Sequence, residues 1–298
     1  MTRKESKEIL QQMLDIYQGI LFQNQSFEPG NPAEIIYDFS CPEFDELRAK
    51  YNLAAIAGTG SDFARAKRLL HNLAPRLTHS PWYDNHIPCN AIDLLAYSLD
   101  NPDQGINCLN KSKILVECCL AVGIYARRVS IMPFSPYDFD NHVVTEIFDR
   151  KLNKWIMLDM TTDGYFIDET KKPLSLLEMR QEFANAEFIT YVRSTDSLND
   201  LDKLREKYLQ KNMYICKNLF YFQIEKYATF GEKGEFLLCT PLHYSVLETR
   251  RANAEYRIKN LPGEYGDFRK TMEQRLEQLQ NATEPDKTDV RSMEKKPE

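Results

Sequence analysis

The sequence has no CxxC pair among its seven cysteines, which removes the strongest zinc-ribbon and thioredoxin signatures. Seven is an odd number, Cys118 and Cys119 are adjacent, and a chain of 298 residues is too large to need disulfide staples. Reduced thiols are therefore expected rather than a disulfide framework. Long apolar runs are missing too: residues 54–57 and 118–122 fall far short of the roughly 20 residues a bilayer-spanning helix needs. The first ten residues, MTRKESKEIL, carry Glu5 and Glu8 where a secretory signal would need an apolar core, so a cytoplasmic location is expected, with no membrane partner. No basic block is long enough to track a phosphate backbone, and 38 Lys and Arg against 44 Asp and Glu give a net charge of −6. Nucleic acid is not an expected partner. Glycine and proline, at 11 and 14, are too few for a collagen-like or linker-dominated chain.

What is present is the composition of a globular protein, 43% apolar and 28% charged, long enough for two average domains or for one α+β domain with insertions. Residues 6–22 place Ile9, Leu10, Met13, Ile16, Tyr17, Ile20 and Leu21 at three- and four-residue steps, the pattern of an amphipathic packing helix. A Pro/Gly break at 29–32 ends it. Ser61 and Asp62 cap a helix in which Phe63, Ala66, Leu69, Leu70 and Leu73 share a face, and the Gly58-Thr59-Gly60 before it reads as a turn. After a loop at 81–86 come a short helix at 91–98 and a polar turn at 101–105. From 125 to 166 the texture changes to β-branched and aromatic runs between turn residues, so a helical layer is followed by an antiparallel sheet: an α+β fold. Further on lie a helix near 201–210, a Tyr/Phe-rich stretch at 214–227 and a strand at 236–239. Residues 284–298 hold only Val290 and Met293 as sizeable apolar groups and are expected to be disordered. The expected division is an N-terminal helical segment (1–44), a main domain with its C-terminal extension (45–250), a C-terminal helix (251–283) and that tail.

The chemistry concentrates in three places. Asn107 is a good N-cap, and the helix after it runs to Gly123, so Cys108 sits in the first turn, where unpaired backbone N–H groups favour a thiolate. Cys108, Ser112, Leu115, Cys119 and Val122 fall on one face of that helix. Residues 141–148 and 154–159 read as two strands of a hairpin. If Asp149 pairs with Lys154, opposed positions sum to 303, which puts His142 opposite Thr161 and diagonally beside Asp159. Imidazole and carboxylate would then touch, with a thiol in reach, in the manner of a Cys, His, Asp triad. Taken singly, each has an ordinary reading: a buried structural Cys, a satisfied His, a strand-end Asp. His79, His86 and Cys89 form an H-x6-H-x2-C cluster, but no fourth ligand follows at fixed spacing, and no metal is expected.

Together these residues resemble the transglutaminase-like superfamily: Cys108 opening a helix that ends in Gly123-Ile124-Tyr125-Ala126-Arg127, His142 leading a strand with Glu146 four on, then Trp155-Ile156-Met157-Leu158-Asp159-Met160-Thr161. The likeness is clear over residues 85–170, extends toward 47–73 and 214–244, and is greatest to bacterial members. It implies a papain-related core in which Cys108 is the nucleophile, His142 the general base and then acid, Asp159 the residue that orients His142, and Arg127 a structural arginine. It departs from the family at Val144, where an aromatic is frequent, and at Met160, where a proline follows the Asp. The resemblance further implies Trp82 as an oxyanion donor beside the Cys108 N–H. It implies acyl transfer or hydrolysis at a carboxamide or peptide carbonyl of a protein or peptide substrate, through a thioester and without a cofactor. The alternative is an interaction or scaffolding module that keeps the fold with its cleft closed or unused. No acidic loop suits a calcium site.

Overall fold

In the computed structural model, which describes residues 3–260, 262 and 266–297, helix starts fall where capping side chains allow them. Ser61 accepts from the Ala64 N–H at 3.2 Å, Asn90 from Asp93 at 2.9 Å and Asn107 from Asn110 at 3.2 Å, each satisfying a first-turn donor that has no partner within the helix. The first half of the chain is helical: α1 (Arg3–Gln23), a short β1 (Ile36–Tyr37), α2 (Glu43–Lys50), α3 (Leu53–Ala57), α4 (Asp62–Leu73), α5 (Ala91–Asp100) and α6 (Cys108–Ala121). Strands β2 (Ala126–Met132), β3 (His142–Asp149), β4 (Lys154–Leu158) and β5 (Gly164–Asp168) follow. Next come α7 (Leu176–Ala184), β6 (Ile189–Arg193), α8 (Leu201–Lys207), α9 (Leu209–Asn218), β7 (Tyr221–Glu225), β8 (Tyr227–Ala228) and β9 (Phe236–Cys239). Helices α10 (Val246–Asn260) and α11 (Gly266–Gln280) complete the set.

The fold is mixed α+β. A five-stranded sheet in the order β4-β3-β2-β7-β9 is antiparallel throughout, β5 and β6 form a separate antiparallel pair, and β1 runs parallel to β8. Strands β3 and β4 pair with Thr145 opposite Leu158 and Asp149 opposite Lys154, the register expected from the hairpin. Every residue of β3 is buried, so both faces of the sheet are covered. Ile147, Ile156 and Leu158 pack with Leu69, Leu73 and Leu115 on one side, and Val144, Met157 and Phe222 with Leu14, Phe183 and Ile215 on the other. Helices therefore lie on two sides of the sheet, not in the single layer expected.

Several elements depart from expectation. In α1 the buried residues are Leu14, Gln18 and Leu21, while Ile9 and Ile16 stay exposed, because the helix fits against α7 and α9 and these set which face is covered. Helix α6 is buried on every side from Asn110 to Ala121 and not on one face alone. Its charged residues are accommodated by pairing: Lys113 Nζ lies 3.2 Å from Glu225 Oε1 and 3.4 Å from Glu117 Oε1, and Glu117 accepts the Ala91 and Gly231 N–H groups at 2.7 and 2.9 Å. Buried charges are tolerated where paired and hydrogen-bonded. The region expected as one C-terminal helix is two, α10 and α11, packed on each other.

The expected disorder of residues 284–298 is overturned for 284–297. Thr288, Asp289, Ser292 and Met293 are buried. The Thr288 N–H donates to the Leu238 carbonyl at 2.7 Å, Asp289 N–H to Asn31 O at 2.9 Å and Asn31 N–H to Lys287 O at 2.9 Å. Glu284 accepts the Val246 and Leu247 N–H groups at 2.9 and 3.0 Å, capping α10 from a distant part of the chain. A count of apolar residues misses this, since the segment is held chiefly by backbone hydrogen bonds. Glu298 lies outside the described residues.

Candidate active site

The thiol is positioned by a close crossing of two chain segments. Ile106 N–H donates to Thr78 O at 3.2 Å and Ser80 N–H to Ile106 O at 3.1 Å. A Cβ on Gly105 would lie 2.6 Å from Ser80 N, so only glycine permits the approach. Asn107 then caps α6 and donates to Asn85 Oδ1 at 3.0 Å, which also accepts from Asn110 at 2.9 Å. These bonds tie the 81–86 loop to the helix start. Cys108, the first residue of α6, is half-buried.

His142 is the first residue of β3, and its ring acts electrostatically on the Cys108 side chain, each group favouring the charged form of the other. Ring nitrogen Nε2 stands 3.0 Å from Asp159 Oδ2. A carboxylate can only accept, so Nε2 carries the proton there and Nδ1 is the nitrogen that Asp159 does not engage. Asp159, fully buried just past β4, accepts the Thr161 N–H on Oδ1 at 2.8 Å and the Thr162 hydroxyl on Oδ2 at 3.2 Å. Its backbone closes on Gly164, where a Cβ would strike the Tyr191 ring. His142 and Asp159, two of the residues expected at the site, are thus hydrogen-bonded, and Cys108, the third, lies within electrostatic reach of the His142 ring.

Electrostatics favour the charged form of all three. Burial works against the Cys108 thiolate, but the His142 ring and the Val143 N–H outweigh it and lower the thiol below its ordinary value. Burial likewise disfavours imidazolium at His142, yet the Asp159 carboxylate, its hydrogen bond and the Cys108 side chain push the ring up to about 9. Asp159 is held well below the usual carboxylate range: Lys211 and His142 overcome its burial. By contrast, burial pushes Cys89 and Cys239 up to about 12 and also raises Cys118, Cys119 and Cys216. The shifts favour the thiolate–imidazolium form of the pair, and its titration belongs to the pair.

Two contributors escaped sequence reasoning. Lys211 Nζ lies 2.6 Å from Asp159 Oδ2, the oxygen that also faces His142. Tyr214 packs edge-on against the His142 ring, centroids 5.5 Å apart, with its hydroxyl donating to Asp140 Oδ1 at 3.1 Å. Both come from α9, three residues apart, so that one helix face lies over the imidazole and carboxylate. The expected helix stops near 210, and no residue of the Tyr/Phe-rich stretch after it is assigned to the site. The available signal was the i, i+3 spacing of a Lys and a Tyr. Lys111, buried one turn from Cys108, donates to Leu77 O at 2.5 Å and is lowered to about 8 by burial against the pull of Asp159.

Lys211 lowers the His142 ring pKa by its charge. Replacing it with Met should therefore move the alkaline step of the coupled pair above about 9, followed by NMR of the His142 ring against pH. A midpoint that stays or falls would mean that Lys211 does not act through its charge.

Trp82 does not join the site. It is 91% exposed, because the 81–86 loop is tied to α6 through Asn85 and turns the indole outward. His79, His86 and Cys89 do not converge either. His79 faces Ile106 in an isolated β-bridge, His86 Nδ1 lies 2.5 Å from Asp84, and Cys89 donates to Asn110 Oδ1 at 3.5 Å. Among the described residues no group of three or more His, Cys, Asp or Glu side chains is placed to hold a metal ion. Arg127 lies apart from the thiol, buried against Glu146 at 2.6 Å, over the Trp155 ring at 3.8 Å, and donating to Met293 O at 2.7 Å. No helix among the described residues is long and apolar enough to cross a membrane. Compared with family models, with curated proteins and with solved structures, the chain matches none.

Proposed function

We propose that the protein is a cysteine acyltransferase or hydrolase acting on a carboxamide or peptide carbonyl, with a transglutaminase-like core. The observation that carries this is a thiol at a helix N-terminus, Cys108, whose ionisation is favoured by a His142 ring that is itself hydrogen-bonded to the buried Asp159. The sequence likeness over residues 85–170 adds to it.

In this reading the Cys108 thiolate attacks the carbonyl carbon. The Cys108 N–H stabilises the oxygen that gains charge, a contribution preorganised donors make well in a dry site. The His142 imidazolium then gives its proton to the departing nitrogen as the C–N bond breaks, leaving a thioester and neutral imidazole. Water or an amine attacks the thioester, His142 takes the proton, and the thiolate leaves. Asp159 keeps the Nε2 proton in place throughout and stabilises imidazolium. The chemistry calls for no cofactor, and the substrate is a protein or peptide.

The test is competitive alkylation. At pH ~6.5 iodoacetamide should label Cys108 well before Cys89 and Cys41, the other half-buried thiols, because its thiolate is favoured by an imidazolium and a helix N-terminus. His142→Ala should erase the preference. Equal rates at Cys108 and Cys41 in the unaltered protein would sink the enzyme reading and return the chain to an interaction module.

A further inference from the structure

A second charged site lies away from the thiol. A cavity of about 320 Å3 opens between the connection from β2 to β3, strand β7 and helix α10, lined in part by Arg250, Arg257, Arg275, Asn253 and Gln223. That volume is at the small end of the roughly 300–1,000 Å3 typical of ligand pockets.

Among the described residues no carboxylate pairs with any of these three arginines. The contrast with Arg251, on the same helix, is sharp: its guanidinium donates twice to the Leu279 carbonyl, at 2.9 and 2.8 Å. The Arg257 guanidinium lies over the Phe139 ring, 4.0 Å from its centroid, and its Nε is buried without a hydrogen-bond partner. A buried guanidinium donor left unpaired is costly unless a ligand completes it. Asp138, the one acidic side chain in the wall among the described residues, is paired with Lys217 at 2.8 Å. Burial and the facing Arg275 both weaken the hold of Arg257 on its proton, the effect of like charges gathered without a counterion. The floor is built, since Asn253 donates to Pro136 O at 2.9 Å and so fixes α10 to the loop that carries Phe139.

We propose that this cavity is a binding site for a small multivalent oxyanion, held by Arg250, Arg257 and Arg275. Planar guanidinium groups offer paired N–H donors that match phosphate and carboxylate oxygens. Arg257, held over the Phe139 ring, is already oriented, so little side-chain freedom is lost on binding. The site stands independently of the acyl-transfer reading, because its test reads binding alone.

Calorimetric titration of the full chain with pyrophosphate, and separately with citrate, at ionic strength held constant with potassium chloride, should show saturable binding of one anion. Pyrophosphate binding the tighter identifies a phosphoryl ligand, and citrate a polycarboxylate; either supports the proposal. Arg257→Gln and Arg275→Gln should each weaken the affinity tenfold or more. Because Arg275 is exposed, its variant keeps the test open should Arg257→Gln fail to fold. No saturable heat beyond the chloride-matched control, or affinity unchanged in the Arg275 variant, would overturn the site.

Discussion

Asp159→Asn should slow Cys108 alkylation at pH ~6.5 by at least tenfold and lower the melting temperature by several degrees. From sequence alone the substitution looks isosteric and structurally mild. The structure changes that expectation. Asp159 is fully buried and answers two cations at once, Lys211 at 2.6 Å and His142 at 3.0 Å. An amide cannot balance them, and removing one partner of a buried ionic group costs about 3–5 kcal/mol. At roughly 2 °C per kcal/mol for a chain of this size, the melting point should fall by about 6–10 °C. The chemical effect has a separate origin. The carboxylate is the largest influence raising the His142 ring, and an opposite charge at this range is worth about 1–3 pKa units. Without it the imidazolium is lost nearer neutrality and the thiolate with it. A variant that melts and alkylates like the unaltered protein would remove Asp159 from the site.

Deleting residues 284–298 should lower the melting temperature by about 5–10 °C, measured by calorimetry. Met293, almost fully buried, accounts for about 1.5–3 kcal/mol by area. Each lost backbone hydrogen bond adds about 0.5–1.5 kcal/mol, and the same factor of roughly 2 °C per kcal/mol applies. Arg127 would also lose the Met293 carbonyl and Trp155 Nε1 its 3.0 Å bond to Lys295 O. Acid should imitate part of the deletion. Burial opposes ionisation of Glu284, but bonds from Lys287, Ser245 and the start of α10 hold its carboxyl at about 2, against an ordinary 4.5. Its contribution is therefore complete above about 4.5 and fades as pH falls toward 2. An unchanged melting point after deletion would mean that the tail contributes nothing to the fold.

Local rules carried the sequence reading furthest. Caps at Ser61 and Asn107 and the hairpin register from Asp149 and Lys154 are short-range matters of hydrogen bonding and strand alternation, and they brought Cys108, His142 and Asp159 toward each other. Long-range docking was not legible. Which face of α1 is covered depends on α7 and α9, and the burial of charged Lys113 and Glu117 depends on Glu225, more than 100 residues away along the chain. Lys211 belongs to the same class, because nothing near it in sequence announces that α9 crosses over Asp159. Trp82 went astray for the opposite reason: its place rested on likeness and not on a local constraint.

The enclosure of α6 divides the labour between the two walls of the site. A helix walled in from Asn110 to Ala121 is held along most of its length, and close-packed interiors yield little to strain. The element that carries the sulfur is therefore firmly seated. Under the proposed reading, accommodation of an incoming chain falls to the solvent-facing 81–86 loop with its outward indole, fastened to α6 through Asn85 Oδ1. Reactivity and selectivity would then be inherited separately, so that this loop can be lengthened or recomposed to admit different substrates while the reacting atoms stay where they are.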